Sequence, residues 1–96
     1  MNVKKTIEGD TLRIAVSGRL DSSTSQEVEN IIAAEPAEIR NLVFDFAELE
    51  YISSAGLRVL LTAQASVEER GTMKVIHVNE VVREVFELTI EASRNF

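Results

Sequence analysis

The sequence predicts a small α/β fold that opens with a β-hairpin and continues as a mostly parallel sheet with helices packed against it. Three observations carry this expectation. Two strand-like segments flank a Gly9-Asp10 turn, and helical and strand periodicities then alternate along the chain. The third is the run from Asn41 to Phe46, which is apolar at successive positions, as a central strand covered on both sides must be. A chain of 96 residues has room for one hydrophobic core, so residues 1–96 are read as one domain.

Taken in order, Asn2 to Ile7 is the first strand. In Thr11 to Ser17 the residues Leu12, Ile14 and Val16 share one face at period two, which makes a half-buried strand ending at Gly18-Arg19-Leu20-Asp21. Ser22 to Glu27 supplies several N-cap residues, with Gln26 and Glu27 at capping-box distance from Ser23 and Thr24. Val28, Ile31 and Ile32 follow at helical spacing, and the helix must stop before Pro36, which cannot continue its hydrogen bonding. After the central strand, a second helix is expected from about Ser54 to Arg70. Leu57, Leu60, Leu61 and Ala65 form its apolar stripe, with Val59, Ala63 and Val67 beside it, and Gly71 is its stop. Met73 to Val78 is a further strand, with His77 an ordinary strand residue. Asn79 then caps a third helix that points Val82, Val85 and Phe86 inward. Residues 90–96 carry no clear signal. The expected order is β-β-α-β-α-β-α.

Composition excludes several classes of function. The net charge is −6, with 16 acidic residues against 10 basic ones, and Lys4-Lys5 is the only adjacent basic pair. Nucleic acids and anionic membranes require concentrated positive charge, so neither is an expected partner. Cysteine is absent and His77 is the single histidine, so no metal site is expected, and no cofactor either. The opening residues lack the apolar run of a secretory signal, and no stretch approaches membrane-spanning length. The expected compartment is the cytoplasm. Catalysis has no support: the Gly-x-Ser-x-Gly elbow is missing, His77 has no obvious orienting acid, and no glycine-rich phosphate loop occurs.

The most informative stretch runs from Leu42 to Leu61. It contains Asp45 at a strand end, a loop through Ile52, then Ser53-Ser54-Ala55-Gly56-Leu57 and an apolar helix. A serine at a helix start lies near unpaired backbone N–H groups and the positive end of the helix dipole. A phosphate can be accommodated there without distorting the fold. It would add roughly −1.5 to −2 charges near Glu48 and Glu50. Arg58, one turn further on, is placed to neutralise part of that charge. Read from the residues alone, Ser53 and Ser54 are helix caps. Asp45 reads as a structural carboxylate that holds the following loop, and Gly56 as a residue of close helix–sheet packing.

This stretch resembles the STAS family, named for sulfate transporters and anti-sigma factor antagonists. The Ser17-Gly18-Arg19-Leu20-Asp21 segment resembles the family's first loop, and the order of strands agrees from about residue 3 to residue 89. The resemblance implies a STAS-like fold and an anti-sigma factor antagonist that is not an enzyme. Its unphosphorylated form would bind an anti-sigma factor serine kinase and so release the sigma factor for transcription. Phosphorylation would end that association, and a PP2C-type phosphatase would restore it. Alignment on Gly56-Leu57 places Ser54 at the phosphorylated position, with Ser53 the second candidate. Asp21, Ser53, Ser54, Gly56 and Arg58 are then the expected partner-binding residues. The chain departs from the family pattern in having Ser53 where many members carry Asp, and Thr89-Ile90-Glu91 where Gly-Leu often precedes a last strand. The alternative is a stand-alone STAS subunit of a lipid ABC transport system, with the serine an unphosphorylated cap.

Overall fold

A computed structural model describes residues 2–34, 38–69, 71–80 and 82–84. The hairpin forms as expected: β1 (Asn2–Glu8) pairs antiparallel with β2 (Thr11–Leu20) across a turn where Gly9 takes φ 61°. That left-handed conformation is one a Cβ would oppose. Helix α1 (Ser25–Ala33) ends ahead of Pro36. The central run becomes β3 (Asn41–Asp45), parallel to β2 through Thr11–Ala15. Strand β4 (Leu49–Ile52) precedes α2 (Ser54–Val67), and β5 (Met73–Ile76) lies parallel to β3 on its far side. The five-stranded mixed sheet has the order β1-β2-β3-β5, with β4 joined to the last residues of β2.

The core follows from the period-two and period-3.6 patterns meeting. Leu12, Ile14 and Val16 of β2 and Leu42 and Phe44 of β3 are buried in it. So are Val28 of α1 and Leu57, Val59, Leu60, Ala63 and Val67 of α2. Phe44 and Phe46 pack with ring centroids 6.0 Å apart.

Several expectations are corrected. The segment Leu49–Ile52, read as loop, is a fourth strand, and β2 runs on to Leu20 to pair with it. Helix α2 ends at Val67 rather than near residue 70. The Gly71 N–H donates to the Val67 carbonyl, but Gly71 also lies where an added Cβ would strike the Arg40 backbone. Leu61 is 43% exposed and Ala65 is exposed. The buried stripe of α2 therefore runs through Val59 and Ala63, and the stripe drawn from the sequence was rotated about the axis. Thr24 occupies the N-cap of α1 but caps with no side-chain hydrogen bond, so the capping box does not form. His77 lies beyond β5 with φ 59°, a left-handed conformation unusual for a side-chain-bearing residue.

Asn79 does cap as expected, its Oδ1 accepting from the Val82 N–H at 2.9 Å, and Val82 is buried. Val85, Phe86 and residues 90–96 lie outside the described residues. None of the described helices is long and apolar enough to cross a membrane, and no cluster of three metal-ligating side chains occurs among the described residues.

Candidate partner-binding site at the start of the second helix

The parallel pairing of β2 with β4 places two loop starts side by side. Leu20 faces Ile52 in the register, and the Ser53 N–H donates to the Leu20 carbonyl at 2.9 Å. Asp21 and Ser53 thus leave the same edge of the sheet on adjacent strands. Asp21, Ser53 and Ser54, which the sequence analysis singled out separately, come together through this short strand.

The two serines differ in what the backbone does with them. Ser53 is the N-cap, extended at φ −97° and ψ 176°, and its Oγ accepts from the Gly56 N–H at 3.4 Å. Its carbonyl accepts from the Leu57 N–H at 2.9 Å. Ser54 is the first residue inside the helix and is exposed, and its hydroxyl makes no hydrogen bond among the described residues. The first turn of α2 carries no acidic side chain, so the positive end of its dipole is uncompensated from within the helix. Arg58 is exposed one turn along.

Gly56 has the close helix–sheet packing read for it from the sequence. It is buried, and an added Cβ would stand 2.7 Å from the Leu20 carbonyl oxygen and 2.8 Å from Ile52 Cγ1. Its missing side chain lets α2 lie directly on the β2–β4 pair, which sets where Ser54 emerges.

The Asp21 loop is fixed by its own hydroxyls. Asp21 Oδ1 accepts from the Ser23 N–H at 3.0 Å and from Ser23 Oγ at 2.7 Å, while the Asp21 N–H donates to Thr24 Oγ1 at 3.0 Å. The Ser23 hydroxyl and N–H hold the Asp21 carboxyl below the usual carboxylate range, and Arg19 adds to the effect. This loop is therefore an ordered surface that presents an ionised carboxylate.

A second carboxylate ties three other segments together. Asp45 Oδ2 accepts from Arg13 Nη2 at 2.7 Å, and Oδ1 accepts from the Ala47 N–H at 3.0 Å. His77 Nδ1 lies 2.9 Å from the same Oδ1. The Arg13 hydrogen bond, followed by that of His77, lowers the Asp45 pKa to about 2. Asp45 thus joins β2, the turn into β4 and the segment after β5. The backbone contact is legible in the sequence, but the pairing with Arg13 and His77 is not, since pairing across 32 positions leaves no local signal.

Sequence reasoning also missed a contact on the outer face of the β2–β4 pair. The Arg19 guanidinium lies over the Tyr51 ring, with its carbon 4.3 Å from the centroid.

A parallel-stranded core behind a hairpin, with a serine-started helix laid on it through a glycine, defines the class of small STAS domains. The sequence model described as "Mlab, STAS domain" matches residues 3–89, and the chain belongs to the STAS family. It is 37% identical over 76 residues to a Bordetella bronchiseptica protein named "Putative anti-sigma factor antagonist BtrV". That match covers 77% of this chain and 66% of the relative, so the chain spans just under two thirds of that relative's length. An anti-sigma factor antagonist from Mycobacterium paratuberculosis superposes with a TM-score of 0.83 at 22% identity, over 97% of this chain and 80% of that one. The anti-sigma factor antagonist SpoIIAA in its unphosphorylated form superposes with a TM-score of 0.77 at 17% identity, over 99% and 100% of the two chains. These two superpositions establish the fold.

Proposed function

We propose that this protein is an anti-sigma factor antagonist, a binding protein rather than an enzyme, switched by phosphorylation of Ser54. The unphosphorylated form binds an anti-sigma factor serine kinase through the Asp21 loop, Ser53, Ser54 and Arg58, and so frees the sigma factor in the cytoplasm. The kinase then transfers the γ-phosphoryl group of ATP to Ser54 Oγ: the new P–O bond forms as the bond to ADP breaks, and the hydroxyl proton leaves to the kinase. A PP2C-type phosphatase hydrolyses the ester and restores the first state.

The observation that carries this reading is the division of labour between the serines. Ser53 is occupied as the cap, which leaves an exposed hydroxyl at Ser54 beside the Asp21 loop. The similarity to the Bordetella relative, itself named for antagonism of an anti-sigma factor, supports the choice of partner. A doubly charged group at Ser54 favours the helix N-terminus and opposes an acidic or apolar partner surface, so it changes docking without unfolding the domain.

The test incubates the protein with its cognate anti-sigma factor kinase and ATP and locates the phosphate by mass spectrometry. Phosphate on Ser54 in the wild type, and none on Ser54→Ala, is the expected result. Equal labelling of both proteins, or of Ser53 alone, removes Ser54 from this role. A chain that takes no phosphate and co-purifies with a transporter subunit instead is the transport-system subunit.

A further inference from the structure

We propose that the free edge of β1 is a docking surface for a second copy of this chain, giving a two-fold dimer whose sheet runs on from one protomer into the other. Strand β1 is terminal in the strand order, and among the described residues nothing pairs with its outer edge. Its pairing with β2 runs from Asn2 opposite Ser17 to Glu8 opposite Thr11 without a register shift, and it contains no proline. A regular strand of seven residues therefore presents its unpaired backbone N–H and C=O groups to an incoming strand.

The register with β2 sorts the side chains by face. Val3, Lys5 and Ile7 stand opposite the buried Val16, Ile14 and Leu12, whereas Asn2, Lys4, Thr6 and Glu8 lie on the outer face. Every residue of β1 except Val3 is exposed, Ile7 at 47%. Neither Lys4 nor Glu8 forms an ion pair among the described residues.

Charge selects both the occupant and the register. An antiparallel copy whose two-fold axis passes through Thr6 sets Lys4 opposite Glu8 of the second copy, twice by symmetry, and Thr6 opposite its own equivalent. Opposite charges and paired threonines both favour an antiparallel pair of strands. On the other face the aliphatic stem of Lys5 covers Ile7 of the second copy, while its ammonium reaches water. Moving the axis to Lys5 sets that lysine against itself, which is destabilising. Moving it to Ile7 carries Lys4 and Lys5 past the end of the facing strand.

Lysines on an edge ordinarily deter stray strands, which offer them no counter-charge. Here the chain's own Glu8 supplies one, so the edge that rejects other strands accepts a copy of itself. Strand β1 also lets two proteins at −6 approach each other, since it carries two lysines against one glutamate.

The dimer leaves the proposed switch surface open. Thr6 stands opposite Arg13, and Leu20, which leads into the Asp21 loop, lies at the far end of β2, roughly 20 Å away at the rise of a strand. Antiparallel pairing sends the two Ser54 sites to opposite ends, so one dimer presents both.

The test is sedimentation velocity across a concentration series, since a dimer's population depends on protomer concentration, with circular dichroism as the control for folding. Wild type should pass from monomer to dimer. Glu8→Lys, which sets lysine opposite lysine, should weaken association by about tenfold, and Lys4→Glu should do the same. The double variant, Lys4→Glu with Glu8→Lys, restores opposite charges across the axis and should associate like wild type. A wild type that stays monomeric at every concentration overturns the dimer. Association that survives both single reversals, or that continues beyond two copies, runs through another surface and overturns the β1 edge. A double variant no tighter than the single ones overturns the pairing of Lys4 with Glu8. Each of these results leaves the antagonist reading as it stands.

Discussion

Adjacent serines at a helix start look interchangeable in a sequence, but the backbone separates them by one hydrogen bond. The Ser53 hydroxyl satisfies the Gly56 N–H, while Ser54 is exposed and its hydroxyl makes no hydrogen bond among the described residues. Ser53→Ala should therefore destabilise the domain by about 1 kcal/mol, the usual cost of a lost cap. Ser54→Ala should change stability by less than about 0.5 kcal/mol, as surface substitutions do. Urea unfolding of the two variants measures the difference, and an equal loss in both would mean that the cap is shared. Asp45 makes a separate prediction about pH. Arg13 and His77 lower its folded pKa from 3.8 to about 2, so the folded state holds this proton less readily than the unfolded chain does. The resulting stabilisation is complete above the ordinary carboxylate range and is lost as pH falls through about 2. Arg13 is half exposed and His77 more so, which limits the contribution to the order of 1 kcal/mol. Unfolding free energies measured between about pH 5 and pH 2 should fall for wild type and follow a shallower slope for Asp45→Asn.

At the scale of elements, legibility depended on length and on how local the signal was. The hairpin, α1, β3 and the start of α2 were readable because each repeats its period over several residues or carries a glycine or proline boundary. Strand β4 was not, because it has four residues, shows the pattern buried-exposed-exposed-buried, and pairs through an irregular register. Period-two alternation cannot be recognised in such a segment. Missing β4 also hid the reason that the Asp21 loop and the serines are neighbours, so the candidate residues were legible one by one but their assembly was not. The buried face of α2 was misjudged at Leu61 because leucine content, rather than packing direction, defined the stripe. Gly56 gives the element-scale test. Its Cβ position is already occupied by the Leu20 carbonyl and Ile52, and a backbone oxygen cannot step aside as a flexible side chain would. Gly56→Ala should cost about 1–3 kcal/mol and displace the start of α2. A urea midpoint equal to wild type would mean that α2 can rise off β4 freely.

For the molecule as a whole, the proposed switch adds charge to a protein that is already at −6, and the question is whether folding or association takes up the change. The phosphate would sit outside the core, at the start of a 14-residue helix whose dipole favours an anion there. Folding should therefore be almost indifferent: phosphorylated and unphosphorylated protein should melt within a few degrees of one another, since about 1 kcal/mol moves a domain of this size by roughly 4–8 °C. Association should carry the effect, with the phosphorylated form binding the anti-sigma factor at least about tenfold more weakly and Ser54→Asp falling between it and Ser54→Ala. Electrostatic repulsion and steric exclusion then separate by salt. Between about 0.01 M and 1 M ionic strength the screening length shrinks from about 30 Å to about 3 Å, so repulsion would relax and binding of the phosphorylated form would partly recover. Exclusion by the bulk of the phosphate would leave it weak at every salt concentration. If phosphorylation instead lowered the melting temperature sharply, the switch would work by loosening α2, and the exposed position of Ser54 would not be what makes it a switch.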